Sequence, residues 1–322
     1  MQIQTILINY KTPEMTLKSL STFMREMGDR PGVSVTLVDN ASHDGSVERL
    51  SEEIRLRGWE DRVFLVESER NGGFAYGVNS GVRNVPPGGR PDFIYLLNSD
   101  AFPDPGAVDV LLDFLTANPA IGIAGSYIYG DDGVPHVTAF RFPSLWGEFE
   151  GTMKLGVLTR LLSQRRVSIE PMPAENTRVD WLAGASMMIR TEVFDEVGFF
   201  DETFFLYFEE TDFCRRARLL GWDTWYLPSS RVVHIGSVST GMKKLDEPMP
   251  RFWFDSRAHY LRKNHGRLHL ALANLIWIGG TSIFRLRCFV QRKPDAGRPR
   301  MLRDFILSIF TPSADSGGSR RD

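Results

Sequence analysis

Phe93-Ile94-Tyr95-Leu96-Leu97-Asn98-Ser99-Asp100 is a short apolar run that closes on an amide, a hydroxyl and a carboxylate. A run of this length, bounded by turn-forming residues, predicts a β-strand. Its neighbours decide what kind of sheet the strand joins. Just upstream come a short strand at 63–66, a glycine-rich loop, Asn71-Gly72-Gly73-Phe74-Ala75-Tyr76-Gly77, and a helix to Arg83. Further back, residues 3–8 predict a buried strand, and Pro13 suits the first position of a helix reaching about Met27. Residues 33–38 predict another strand, ending at Asp39-Asn40-Ala41-Ser42, after which Asp44 caps a helix to about Arg57. Downstream, a helix over about 105–117 precedes a strand at 121–127. Strands alternating with helices predict an α/β fold on a parallel sheet.

Ligands of such sheets sit beyond the carboxyl ends of the strands. Asn9-Tyr10, Asp39 and Asn98-Ser99-Asp100 all fall there. Each alone is an ordinary turn former; three polar ends sharing one crevice predict a site. Asp100 offers a carboxylate to a divalent cation, since Mg²⁺ takes oxygen ligands and Mn²⁺ also accepts imidazole. His234, expected in a loop at 231–237 just past a strand at 223–227, is the natural second ligand. Gly72 and Gly73 let backbone N–H groups approach phosphates, without the Gly-Lys-Ser/Thr of a P-loop or the three-glycine dinucleotide spacing.

From 130 to 176 the pattern loosens into expected loops and short helices, and regularity returns at 177–189. Then an aromatic run, Phe204-Phe205-Leu206-Tyr207-Phe208, delivers Glu209, Glu210 and Asp212 to the start of a helix, with Arg215, Arg216 and Arg218 a turn later. Acids early and bases late suit the helix dipole. Glu209 and Asp212 share a face, while Glu210 points about 100° away. Carboxylates facing different ways can divide two tasks, orienting an acceptor and removing its proton.

The chain of 322 residues has a net charge of −2 that hides an asymmetry. Residues 262–322 hold twelve Lys/Arg against four Asp/Glu, a net of +8, which leaves −10 on the rest. An acidic body argues against a nucleic-acid partner, and a basic end predicts an anionic membrane surface as partner. Two cysteines without metal or disulfide spacing, and an N-terminus that opens on a strand, predict a cytoplasmic protein. The apolar stretch 268–284 is short and broken by Asn274, Gly279 and Gly280, with basic residues on both flanks. It suits an interfacial or shallowly inserted helix pair at the inner face of the cytoplasmic membrane, the alternative being a packed helical hairpin.

Taken together, Ile8-Asn9-Tyr10-Lys11, Val38-Asp39-Asn40-Ala41-Ser42, Asn71-Gly72-Gly73-Phe74-Ala75, Leu96-Leu97-Asn98-Ser99-Asp100, Trp181-Leu182-Ala183-Gly184-Ala185, the acid run and Val233-His234 resemble a known set. Over residues 3 to about 241 the chain is similar to the inverting glycosyltransferases of family 2, particularly their bacterial rhamnosyltransferase-like branch. The resemblance implies a GT-A fold with a mostly parallel central sheet plus C-terminal helices. It implies a catalytic domain at 1–241; the charge and apolar pattern beyond it predict a helical, membrane-interfacial region at 242–292 and a basic, partly disordered tail at 293–322.

It also implies roles. Asn9, Tyr10 and Asp39 border and read the nucleobase, and Asn71 and Gly73 lie beside the ribose and diphosphate. Asn98 and Asp100 stand in the metal motif, with His234 as the distal ligand of a Mg²⁺ or Mn²⁺ ion. Glu210 matches the base, with Glu209 and Asp212 orienting the acceptor over a floor of Trp181, Gly184 and Ala185. Two positions depart from the pattern: Asn98 replaces the first acid of the metal motif, and Glu210 stands where Asp is usual. The implied reaction is single-displacement transfer from a nucleotide-sugar, dTDP-rhamnose or a UDP-sugar, to a glycan or polyprenyl-linked acceptor. Two alternatives use the same pieces: a nucleotide-sugar-binding protein without turnover, disfavoured by the intact acids, and a sugar nucleotidyltransferase, which would carry a Gly-rich basic loop where Asn9-Tyr10-Lys11-Thr12-Pro13 stands.

Overall fold

A computed structural model describes residues 1–236, 246–294 and 297–311; Ser237 of the expected loop, and 295–296 and 312–322 of the expected tail, lie outside the described residues. The chain divides into two compact units. The first comprises Met1–Phe140, Ser168–Glu202 and Glu209–Gly241, and the second Arg141–Val167, Thr203–Phe208 and Met242–Asp322. The second unit thus takes in two segments from within the 1–241 span expected to be a single domain. The loosened pattern of 130–176 and the aromatic run at 204–208 mark these segments in the sequence, but not that they belong to a second unit.

In the first unit β1 (Ile3–Asn9), α1 (Pro13–Met27), β2 (Val33–Asp39), α2 (Ser46–Leu56), β3 (Val63–Glu67), α3 (Gly73–Arg83) and β4 (Phe93–Leu97) follow in alternation. Next come β5 (Ala101–Pro103), α4 (Ala107–Ala117), β6 (Ile121–Tyr129) and β7 (Ala139–Phe140). In the second unit lie α5 (Leu145–Met153) and α6 (Gly156–Leu161). The first resumes with β8 (Thr177–Val179), β9 (Trp181–Leu182), β10 (Ser186–Arg190), α7 (Thr191–Val197), α8 (Glu209–Leu219) and β11 (Asp223–His234). The second ends with α9 (Arg251–Val290) and α10 (Met301–Phe310).

Sequence chemistry explains the early elements directly. Pro13 begins α1, where its missing N–H costs nothing. Leu17, Leu20, Phe23, Met24 and Met27 then recur at helical spacing and are buried. Phe23 stacks on Tyr95 of β4 with ring centres 6.1 Å apart, and each such buried side chain contributes about 1.5–3 kcal/mol. Helix α3 lies close over β1 because it carries glycines there: a Cβ at Gly77 would stand 2.9 Å from Ile8 Cδ1, and one at Gly81 2.7 Å from Ile6 Cγ2. At the start of α2 the expected Asp44 cap is displaced by one residue. Gly45, at φ +86°, takes the capping position, while Asp44 Oδ1 accepts the Ser46 N–H at 3.1 Å.

The large sheet runs β3-β2-β1-β4-β10-β6-β11-β5, with β8 added on β11. Strands β3, β2, β1, β4, β6 and β11 point one way and β5, β8 and β10 the other, so the sheet is mostly parallel. Strand β10 sits between β4 and β6 and is antiparallel to both, with Ser186 opposite Leu97.

A chain of buried hydroxyls crosses this part of the sheet. Tyr95 Oη meets Ser186 Oγ at 2.8 Å, Ser186 meets Ser126 at 2.7 Å, and Ser126 meets Ser230 at 2.7 Å. Ser230 Oγ then donates to the Ala107 carbonyl at 2.8 Å, at the start of α4. Burial pushes the Tyr95 phenol well above its usual range, so it stays neutral. Ser230 lies in a bulge of β11 between Leu227 and Arg231. After that bulge β11 continues to His234 instead of ending near Leu227, and it pairs antiparallel with β5, which the sequence did not predict.

In the second unit, Gly266 at φ 87° breaks α9, and the helix then runs unbroken to Val290 where a helix pair was expected. Arg257, 2% exposed, joins the two halves: Nη2 stands 2.9 Å from Glu148 Oε1, and Nη1 donates to Asn274 Oδ1 at 2.8 Å. Residues 301–310 of the expected basic tail are helical. Among the described residues no helix is long and apolar enough to cross a membrane.

The hydroxyl chain yields the first test. Ser126→Ala leaves both Ser186 and Ser230 short of a buried partner and should cost about 1–3 kcal/mol, read as a lower urea midpoint with the slope unchanged. A wild-type midpoint would show that these hydroxyls carry no net stability.

Candidate active site

Every expected site residue lies in the first unit. At the ends of β1 and β2, Asp39 is 1% exposed and closely held. Asn9 Nδ2 donates to its Oδ1 at 2.7 Å, Ser42 Oγ to the same oxygen at 2.6 Å, and the Ser42 N–H to Oδ2 at 2.9 Å. Thr16 Oγ1 in turn fixes Asn9 by donating to its Oδ1 at 2.7 Å. A carboxylate has about four acceptor positions, so Oδ2 keeps capacity for a ligand donor. Tyr10 is half-buried beneath the Lys11 ammonium, 5.5 Å from the ring centre.

Asn40, quoted in the sequence motif without a role, ties this corner to the glycine loop. Its Nδ2 donates to Asn71 Oδ1 at 3.1 Å and to the Gly73 carbonyl at 3.0 Å. Asn71 Oδ1 also accepts the Gly73 N–H at 3.1 Å. Gly73, at φ +80°, opens α3, so the second half of the expected loop is the first turn of a helix. Asn71 and Gly73 thereby stand at a helix N-terminus, which favours an anionic group.

The β5–β11 pairing sets His234 opposite Ala101, next to Asp100. His234 therefore ends a strand rather than lying in the expected loop. Its Nε2 is 3.0 Å from Asp100 Oδ1, and the Asn98 amide nitrogen is 3.3 Å from the same ring atom. Burial would raise Asp100, but the His234 hydrogen bond and charge, with the backbone N–H groups of Asp100 and Gly236, hold its carboxyl below the usual range. Among the described residues no cluster of three or more His, Cys, Asp or Glu side chains could hold a metal. An imidazole and a low-lying carboxylate at hydrogen-bond distance still fit a hard cation that takes its remaining oxygens from water and a diphosphate. The His136 ring stands edge-on to His234 with centres 6.3 Å apart; sequence reasoning missed it, because it lies in the irregular stretch after β6.

The chain enters α8 through Tyr207 and Phe208, at φ 69° and 70°. Left-handed backbone costs an ordinary residue about 1–2 kcal/mol, so two in succession mark a held conformation. Beyond them the three acids separate. Glu209 is 1% and Asp212 0% exposed, whereas Glu210 is half-buried. Asp212 Oδ2 accepts from Arg216 Nε at 2.8 Å, and Arg216 also donates to the Val197 and Phe199 carbonyls at 2.7 and 2.8 Å. The Asp212 carboxylate thus ties α8 to the end of α7, where the sequence suggested an acceptor-orienting group. The helical wheel gave its angle correctly but not which side meets the core.

Glu210 Oε1 accepts the Gly184 N–H at 3.1 Å. A Cβ at Gly184 would lie 2.7 Å from that oxygen and 3.2 Å from Phe74 Cζ, so a side chain there would displace the carboxylate from this position. Burial raises the Glu210 carboxyl, more than its own N–H and that of Gly184 lower it. Ala185, next in the chain, accepts the Asn98 N–H at 3.0 Å. Trp181 stacks on Phe140 at 4.1 Å, nearly parallel. Cys214 on the same helix is buried, its thiol pushed up to about 12, and offers no nucleophile.

Residues 5–210 match glycosyl transferase family 2. The N-acetylglucosaminyl-diphospho-decaprenol L-rhamnosyltransferase of Mycobacterium tuberculosis is 32% identical over 228 residues, covering 66% of this chain and 69% of the relative. The crystal structure of GalNAc-T7 with UDP, GalNAc and Mn²⁺ superposes with a TM-score of 0.58 at 15% identity, covering 96% of this chain. This chain spans 54% of that larger protein. The mannosyltransferase PcManGT from Pyrobaculum calidifontis, with GDP-Man and Mn²⁺, gives 0.55 at 12% identity, covering 96% of this chain and 86% of that one. At such identities the two structures speak for the fold, which is GT-A. The family match runs from the first strand into the acid run and takes in every candidate residue except Asp212 and His234, so the chain belongs to glycosyl transferase family 2.

Proposed function

We propose that the protein transfers a sugar, rhamnose first among candidates, from a nucleoside diphosphate to a hydroxyl of a lipid-linked or cell-surface glycan. The observation that carries this reading is one loop with two bonds: Gly184 N–H to Glu210 and Ala185 carbonyl to Asn98. A carboxylate of raised basicity and an acid–imidazole pair are thereby held on the two sides of a single turn. The rhamnosyltransferase relative, whose name specifies a diphospho-decaprenol acceptor, supports a polyprenyl carrier and dTDP-rhamnose, with a UDP-sugar as the other donor. An acceptor on such a carrier calls for work at the inner face of the cytoplasmic membrane, against an anionic surface.

Asn9, Tyr10 and Asp39 receive the nucleobase, and Asn71 and Gly73 the ribose and diphosphate. Asp100 and His234, beside Asn98, would hold a Mg²⁺ or Mn²⁺ ion, which when bound offsets negative charge on the diphosphate. Glu210 takes the proton of the acceptor hydroxyl over the floor of Trp181, Gly184 and Ala185. The freed oxygen forms the new bond at the anomeric carbon as the bond to the diphosphate breaks, so configuration inverts. Glu209 and Asp212 serve from within the protein, fixing the start of α8 and so the direction of Glu210.

Glu210→Gln should lower transfer about 10²–10⁴-fold while nucleotide binding by calorimetry is kept. Because the base must be ionised and burial raises its carboxyl, wild-type turnover should fall, as pH drops, at a pH above the ordinary glutamate value of about 4.3. Near-normal turnover in Glu210→Gln would move the base elsewhere.

Mn²⁺ should raise the wild-type Tm. Asp100→Ala and His234→Ala should each remove that rise, and the double variant should lose no more than either single one, since both groups would serve one ion. A full Mn²⁺ response in the double variant would end the metal assignment.

Asp212→Asn should show its cost in stability, on the order of 1–3 kcal/mol for a weakened charge-assisted hydrogen bond to the half-buried Arg216. Urea unfolding reads it, and the folded fraction should bind nucleotide normally. Wild-type stability with weakened acceptor affinity would restore Asp212 to the acceptor.

A further inference from the structure

Past Gly266 the α9 helix presents two opposite faces. One is buried within its own unit: Trp277 packs on Phe305 of α10 with ring centres 4.0 Å apart, and a Cβ at Gly280 would lie 2.2 Å from Thr152 Oγ1 of α5. The other face is open and apolar. Leu268, Leu275, Ile283, Leu286, Phe289 and Val290 are exposed by 75, 67, 50, 63, 81 and 71%. They follow one another at helical spacing, and the charged residues of 268–290, Arg285 and Arg287, are half-buried, Arg287 donating to the Lys154 carbonyl at 2.8 Å. At 1.5 Å per residue the stripe is about 33 Å long. Its ends are cationic, with exposed Arg267 before it and exposed Arg292 and Lys293 after it. Exposed Phe310 and Arg303 on α10 repeat the combination.

An apolar strip of this length needs a partner, and the charge at its ends selects which. A second copy of the same face would set cations on cations in either direction, because both ends carry the same sign. A lipid surface with anionic headgroups accepts the apolar side chains and the flanking cations together. A helix already packed on its own unit along one face lies along such a surface. We propose that residues 267–293 dock flat on an anionic bilayer, the leucine–isoleucine–phenylalanine face among the acyl chains and the end cations at the phosphates. This deepens the membrane part of the reading above and rests on this face alone, independently of donor and acceptor.

The test uses the full chain and its Leu275→Asp/Leu286→Asp variant, with vesicles of phosphatidylcholine alone or mixed with phosphatidylglycerol. The wild type should sediment with the mixed vesicles, less with the neutral ones, and less at high salt. The variant should bind on the order of tenfold more weakly with an unchanged Tm; if it does not fold, Phe289→Glu, at the most exposed position of the stripe, carries the same comparison. Transfer to a water-soluble acceptor is measured in parallel, and should be equal in both proteins if docking and chemistry are separate. Equal sedimentation of variant and wild type, or equal wild-type binding to both vesicles, overturns the proposal. So does a lipid-free wild-type dimer in ultracentrifugation that the variant abolishes, which would make the second copy the occupant.

Discussion

The site depends on one reversed strand. Had β10 run parallel to β4 and β6, the turn before it would have opened at the far edge of the sheet. Running antiparallel, it begins with Ser186 opposite Leu97, the last residue of β4. That places Gly184 and Ala185 at the polar end of the crevice, beside Asn98. The Tyr95–Ser186–Ser126–Ser230 hydroxyls lock the same strand from within. Strand polarity, a matter of backbone pairing, thus decides which side chains can meet.

Two carboxylates on this edge are driven in opposite directions. Asp100, beside an imidazole, is kept easily ionised; Glu210, half-buried and met by the backbone N–H groups of Gly184 and its own residue, is made a stronger base by desolvation. Environments that split like groups in this way are how one fold assigns a charge-bearing role and a proton-accepting role at one pH.

Much of the scaffold was legible because local signals agreed there. Pro13, the buried periodicity of α1 and the apolar runs of β1, β2 and β4 all spoke for one arrangement. What escaped had a local signal pointing elsewhere. Pro228, Ser229 and Ser230 look like a loop, yet β11 absorbs them in a bulge and carries His234 into the sheet. The three residues of β5 end in proline and have no period to detect, though they bring Asp100 and His234 together. The angles of the α8 acids followed from helix geometry alone. Their burial did not, because it depends on Arg216, Val197 and Phe199. The excursions of 141–167 and 203–208 into the second unit follow from long-range packing that no short window of sequence contains.

The space beside Gly184 has a consequence for how this site can diverge. The oxygen of Glu210 occupies the volume that a methyl group at position 184 would claim, so the two positions form a single steric unit. An aspartate at position 210 would hold its carboxylate one carbon further back and free the neighbouring turn from that demand. In this chain the longer acid and the bare glycine share one space, so a side chain added at position 184 is felt first as a displacement of the Glu210 carboxylate.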